Sequence, residues 1–174
     1  LRAHGISVET GVLQEEARRG MAGFFMRQTL GRPFITLKLG LSLDGCIAMA
    51  DGSSRWITGP AARAHAHLER SRHEAIVVGR GTWVADTPAL DVRLPGLNTY
   101  SPRRFMLGSG DPPENWTMLS RPADVAHIPE VAHVMVEGGA QTASGFISAD
   151  LIDRLLLYRA PILLGAGRPA LGDI

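Results

Sequence analysis

Val134-Met135-Val136-Glu137-Gly138-Gly139-Ala140 sets a carboxylate and two glycines at the end of an apolar run. A buried strand with this ending delivers an acid to one edge of a sheet, and the glycine turn beyond it exposes backbone N–H groups at a helix start. Ligands of open α/β sheets bind at that edge, and a helix start favours anions. The motif therefore predicts a site for a phosphate-bearing ligand, though such a turn also serves as a plain connection. Lys38 is the second chemically loaded position. It interrupts Ile35-Thr36-Leu37 and Leu39, where burying an ammonium is costly; an outward-facing edge position is the alternative. Asp86 and Glu137 each follow an apolar stretch and can face a common cleft, anchoring hydroxyl or N–H groups of a polar ligand. A helix cap or a surface group explains either acid alone. Arg70 and Arg93 carry forks that match phosphate oxygens, while Asp44 before Gly45 fits a turn.

Other motifs carry less. Gly165-Ala166-Gly167-Arg168-Pro169-Ala170 fits the glycine pattern of a dinucleotide loop. Too few residues follow for its helix and its ribose-binding acid, so it reads as a loop after a strand. His67-Leu68-Glu69 is half of a zinc-deaminase signature, but the cysteine pair is absent. His65 and His67 stand two apart on a helix, on different faces, and read as structural or solvent-facing. Cys46 reads as a small buried residue rather than a nucleophile.

The elements that must position these groups alternate. Apolar spacing from Gln14 to Gln28 predicts a helix, weakened by Gly20 and Gly23, and Gly31-Arg32-Pro33 breaks it. Strands are expected at Phe34–Leu39, Ala75–Gly79, Arg104–Leu107, Ala132–Val136 and Leu155–Leu164, with a short apolar segment at Cys46–Ala48. A helix begins near Pro60, whose missing N–H costs nothing in a first turn, and runs to about Ser71. This alternation predicts an α/β fold with a mostly parallel central sheet flanked by helices.

With 174 residues, one domain is expected, and 18 basic against 17 acidic residues give no polyanion-binding surface. Nucleic acid is therefore not an expected partner. One cysteine excludes an internal disulfide and suits a reducing cytoplasm. No apolar run approaches the roughly 18 residues of a membrane span, so no membrane association is expected. No metal site is expected either.

In order along the chain, several motifs closely resemble the reductase domain of the bacterial bifunctional riboflavin-biosynthesis deaminase/reductase. They are Phe34-Ile35-Thr36-Leu37-Lys38-Leu39 with Ser42-Leu43-Asp44-Gly45, then Ser54-Arg55-Trp56-Ile57-Thr58-Gly59, then Gly79 to Asp86 and Thr87-Pro88-Ala89-Leu90-Asp91-Val92-Arg93. Val136-Glu137-Gly138-Gly139-Ala140, Leu155-Leu156-Leu157-Tyr158-Arg159-Ala160-Pro161 and Leu163-Leu164-Gly165 continue the match. The resemblance implies a dihydrofolate-reductase-like fold and NADPH-dependent reduction of 5-amino-6-(5-phosphoribosylamino)uracil to its ribitylamino counterpart. A related reductase of another pterin- or pyrimidine-like substrate and an inactive fragment are the alternatives.

Carried over by position, the resemblance makes Lys38, Asp86 and Glu137 the catalytic set, with Glu137 also holding substrate. Ser54, Arg70, Leu90 and Arg93 match substrate positions, and the two arginines suit a 5′-phosphate. Gly40, Trp56, Thr82, Asp86, Ser109, Gly139, Ala140, Gln141, Thr142, Ala143, Ser144 and Gly145 match cofactor positions. Arg103, Arg104 and Ser109 are plausible contacts for the extra phosphate of NADPH. Thr87 replaces the second acid of the family's usual Asp-Asp-Pro. Residues 1–30 are expected to be a linker helix from a missing deaminase domain, and 31–174 a reductase domain lacking its closing strands. A cytoplasmic homodimer or larger homo-oligomer is the expected assembly.

Overall fold

The computed structural model describes residues 1–54 and 57–172. Its strands are β1 (Phe34–Leu41), β2 (Cys46–Ala48), β3 (Ala75–Gly79), β4 (Arg103–Leu107), β5 (Trp116–Leu119), β6 (His133–Val136), β7 (Arg154–Arg159) and β8 (Arg168–Pro169). Its helices are α1 (Gln14–Gly20), α2 (Ala22–Leu30), α3 (Pro60–Arg70), α4 (Arg80–Asp86) and α5 (Ala140–Ser148).

Six strands form one sheet in the order β5-β4-β3-β6-β1-β7, and every pairing in it is parallel. A parallel sheet is covered on both faces, so its central strands are apolar throughout. All five residues of β3 are buried. Their side chains alternate between two cores, as a strand requires. Ala75 and Val77 join Ile35, Leu37, Val134, Val136 and Phe146 on one face. Ile76 and Val78 join Leu90, Met106, Trp116 and Met135 on the other. β1 lies between β6 and β7, so the edge alternative for Lys38 does not hold. Its neighbours Leu37, Leu39 and Leu41 fill the first core, and alternation puts Lys38 on the opposite face.

Local differences from the sequence reading have simple causes. The expected Gln14–Gln28 helix is two helices, broken at Met21, whose φ of −111° and ψ of 19° leave the helical region. The last long strand stops at Arg159, because Pro161 follows and cannot donate to a ladder. α4, β5 and β8 were not foreseen; each has at most seven residues, too few for a periodicity to stand out. β2 and β8 make a separate antiparallel pair that carries Arg168 toward the main sheet's C-terminal edge.

α2 is fastened to the domain by one arginine and one glycine. Arg27 donates to the carbonyls of Val131, Ala126 and Ile128 at 2.6, 2.7 and 2.7 Å. The Gly23 N–H donates to His133 Nε2 at 3.2 Å. A Cβ on Gly23 would fall 2.5 Å from the Ala132 carbonyl oxygen and 2.6 Å from the His133 ring. Gly23→Ala should therefore lift α2 and cost about 1–3 kcal/mol. Limited proteolysis should then release residues 1–30 ahead of the sheet; an unchanged digestion pattern and melting temperature would contradict this docking.

Candidate functional site

Parallel pairing lines up the C-terminal ends of β1, β3, β4 and β6 along one edge. The chain leaves β3 through α4 toward β4 but leaves β6 through α5 toward β7. Successive connections thus diverge between β3 and β6, and a crevice opens at such a point. The two helices start side by side there, after Gly79 and Gly139. The Gly139 N–H donates to Thr82 Oγ1 at 3.2 Å, tying one start to the other. Thr142 fits against both strand ends. A Cβ on Gly79 would meet Thr142 Oγ1 at 2.2 Å, and one on Gly138 would meet Thr142 Cβ at 2.4 Å.

The cleft has a volume of about 1070 Å³, at the upper end of the range for small-molecule sites. On its wall, Glu137 receives three charge-assisted bonds. Arg70 Nε donates to Oε1 at 2.6 Å and Arg70 Nη2 to Oε2 at 2.9 Å, while Lys38 Nζ donates to Oε2 at 3.4 Å. The three side chains are only 8%, 13% and 22% exposed for Glu137, Arg70 and Lys38. Burial works against the Glu137 charge. The Lys38 charge and the bonds and charge of Arg70 more than offset it, holding the carboxyl at about 2. One carboxylate between two cations leaves the site a net positive charge. Tyr158 flanks it, with Lys38 Nζ 5.8 Å from the ring centroid and its hydroxyl 2.8 Å from His65 Nδ1. Burial, then the Glu69 and Glu137 charges, push that phenol up to about 12.

Of the residues singled out in the sequence, Lys38, Gly40, Ser54, Arg70, Thr82, Asp86, Arg93, Glu137, Gly139, Ala140, Gln141 and Thr142 all line this cleft. Asp86 ends a helix rather than a strand. It is exposed and lies roughly 9 Å along α4 from its start, at 1.5 Å per residue. Arg70 has its fork on Glu137, and its Nη1 donates to the Asp91 carbonyl at 3.1 Å. Arg93 is exposed and lies 3.4 Å from Asp91 Oδ1.

Leu90, Ala143, Ser144, Gly145 and Ser109 are not brought to the cleft wall. Leu90 belongs to the second core, and Ala143 and Ser144 are buried within α5. Trp56 lies outside the described residues. Arg103 and Arg104 begin β4 opposite Ala75 and Ile76, at the sheet edge away from the cleft. The wall also contains Arg63 and Arg80, which the sequence reading did not assign to the site, and His67 and Arg168, which it read as a structural or solvent-facing histidine and as part of a loop. Arg63, His67 and Arg70 stand at i, i+4 and i+7, one stripe of α3, and that spacing was the available signal.

A parallel α/β sheet with a basic cleft at its switch point is an architecture suited to an anionic small molecule. The chain belongs to the RibD C-terminal domain family, which matches residues 33–121 and 126–174. It is similar to the riboflavin biosynthesis protein RibD of Mycobacterium tuberculosis, at 39% identity over the whole chain and 56% of that protein. RibD of Escherichia coli is 33% identical over 95% of the chain and 58% of the relative. The chain thus spans little more than half the length of these relatives. Among solved structures, Acinetobacter baumannii RibD superposes with a TM-score of 0.86 at 30% identity, covering all of this chain and 59% of that one. A deaminase/5-amino-6-(5-phosphoribosylamino)uracil reductase from Thermotoga maritima gives 0.82 at 27% identity, covering 99% and 58%. The fold is accordingly the dihydrofolate-reductase-like one that the motifs implied.

Proposed function

We propose that this domain reduces 5-amino-6-(5-phosphoribosylamino)uracil to 5-amino-6-(5-phosphoribitylamino)uracil with NADPH in riboflavin biosynthesis. The carrying observation is the buried Lys38–Glu137–Arg70 cluster set beside the start of α5. A reductase of this family calls for a nicotinamide cofactor, and the residues fit one. Gly139 supplies no side-chain cap to α5, so the first-turn N–H groups from Ala140 to Thr142 have no acceptor within the helix. These residues line the cleft, and Gly81 beside them has nothing within 4 Å of where a Cβ would stand. That open backbone suits a pyrophosphate, with Thr82 and Gly40 on the same wall.

When bound, the nicotinamide supplies the hydride that reduces C1′ of the ribose, and the protein supplies orientation and electrostatics. Glu137 has about four acceptor directions. Arg70 and Lys38 occupy three, leaving one for an N–H or hydroxyl of the pyrimidine substrate. Lys38 is held by Glu137 and Tyr158, so its remaining N–H groups can meet the reacting ribose. Asp86, Ser54 and Arg93 complete the substrate side from the rim. Arg93 and the N–H groups that Arg70 has left beyond Glu137 and the Asp91 carbonyl suit the 5′-phosphate.

The same reading treats residues 1–30 as the connection from a deaminase domain and 31–174 as the reductase domain. The turn at Gly31, with φ of 68°, supports that boundary. Exposed Leu155 and Leu157 on the edge strand β7 support a homo-oligomer, and one buried free cysteine supports a cytoplasmic setting. Among the described residues no helix is long and apolar enough to cross a membrane. The test is an anaerobic assay that follows nicotinamide absorbance with the phosphoribosylamino substrate, alongside melting with and without NADPH. Turnover with a raised melting temperature is expected; no turnover and no shift would overturn the reading.

A further inference from the structure

Glu69 is a carboxylate only 3% exposed, and it stands outside the cleft wall. Both of its oxygens are engaged. Arg154 Nη2 donates to Oε2 at 2.5 Å, and Arg72 Nη1 donates to Oε1 at 2.8 Å. Burial opposes the charge; the charge and bond of Arg154, then those of Arg72, outweigh it and hold the carboxyl below its usual range.

A chain of bonds ties this pair to β1. Thr36 stands opposite Arg154 in the sheet, and Arg154 Nε donates to Thr36 Oγ1 at 3.2 Å. Thr36 Oγ1 lies 3.1 Å from His73 Nε2, and His73 Nδ1 lies 2.6 Å from the Glu69 carbonyl oxygen. That oxygen only accepts, so Nδ1 carries the ring proton. Burial pushes His73 down, which leaves Nε2 free to accept from the Thr36 hydroxyl. Each link thus has one donor and one acceptor.

The network matters because α3 has little else to fix it. Only Ala66 and Glu69 of this helix are buried, and among the described residues neither apolar core includes one of its side chains. Burial of apolar surface has no direction, whereas hydrogen bonds between charged groups fix geometry. Glu69 and Arg70 are consecutive, about 100° apart around the helix. Glu69 therefore reaches β7 while Arg70 reaches Glu137 at the end of β6. Their Cα atoms stand about 3.8 Å apart, so a shift of one carries the other. Thr36 also lies two residues before Lys38 on β1, on the same face. The Glu69–Arg154 pair thus underlies the Lys38–Glu137–Arg70 cluster.

We infer that Glu69 and Arg154 are positioning residues: their ion pair sets where the end of α3 lies, and through it the grip of Arg70 on Glu137. This rests on the reductase reading of the cleft and names the device that aligns its substrate side. The cofactor side is built on the starts of α4 and α5, which are joined to each other through Thr82 and Gly139. The two halves of the site should therefore respond differently when the pair is broken.

Steady-state kinetics with the phosphoribosylamino substrate, NADPH titration calorimetry and melting curves of the 174-residue chain test this. Glu69→Gln keeps the shape and removes the charge. It should lower kcat/KM for that substrate roughly 10-fold or more while NADPH affinity changes less than about 2-fold. Arg154→Met should do the same, and combining it with Glu69→Gln should add little. Arg154→Lys keeps the charge and should recover part of the rate. Glu69→Leu combined with Arg154→Met replaces a buried ion pair by apolar groups, a change that often preserves stability. Its melting temperature should stay close to that of the wild type while kcat/KM remains low. Recovery of kcat/KM together with the melting temperature would reduce the pair to a structural tie and overturn the positioning role. Wild-type kinetics in Glu69→Gln, or NADPH affinity falling as far as kcat/KM, would overturn it too. A wild-type chain without turnover would overturn the reductase reading, and this inference with it.

Discussion

Replacing Glu137 with glutamine should lower kcat by about 10²-fold or more, the scale set by losing a preorganised electrostatic group. Glutamine has nearly the same shape, so the loss reports charge and not volume. The variant leaves Lys38 and Arg70 facing one another with no carboxylate between them, and both are mostly buried. Removing one partner from such a cluster costs about 3–5 kcal/mol, so the comparison belongs well below the melting temperature. NADPH affinity should change little, because the glycine turn at the start of α5 does not depend on that charge. The pH dependence follows from the same cluster. The Glu137 carboxyl lies at about 2 in the folded chain against an ordinary 4.5. Its stabilisation is complete above the ordinary value and fades as pH falls toward the folded one. Melting curves of the wild type should show that fading, and the glutamine variant should be flatter over the same acid range. Near-normal turnover by Glu137→Gln would remove the residue from its assigned role.

Gly138→Ala should damage both stability and cofactor binding. Its new Cβ would lie 2.4 Å from Thr142 Cβ and 2.5 Å from Thr142 Cγ2, contacts that require α5 to move. Thr142 is itself buried and close to Gly79, so the helix cannot yield toward β3. Overpacking of this kind costs about 1–3 kcal/mol. Displacing the start of α5 should also weaken NADPH binding more than tenfold, through misplaced N–H groups. Adding Thr142→Gly should restore part of the binding, since it removes the atoms that collide; the pair should then be non-additive. Simple additivity of the two substitutions, read by melting and titration, would show that the contact does not govern the turn.

Much of the fold was legible because parallel strands buried on both faces read as apolar runs. Phe34–Leu41, Ala75–Gly79 and His133–Val136 announce themselves in this way, and Pro60 marks the start of α3. Trp116–Leu119 and Arg168–Pro169 do not: neither exceeds four residues, and Arg168–Pro169 is a strand only through its pairing with the distant Cys46–Ala48. Chain order could not reveal that β6 inserts between β3 and β1, which is what brings Glu137 to Lys38 and Arg70.

The amino-acid sequence alone determined the alternation of strands and helices, and the acid and glycines that follow β6. Its motifs also carried the family resemblance, and most of the site residues assigned from them line the cleft. These are local properties, set by side-chain type and by spacing along the chain. Only the tertiary structure decided how the charges are shared. It gave the Arg70 fork to Glu137, buried Leu90 in a core, and carried Arg103 and Arg104 to the far edge. Charge partners are chosen by distance in space, and a parallel sheet joins strands whose neighbours lie far apart in the chain.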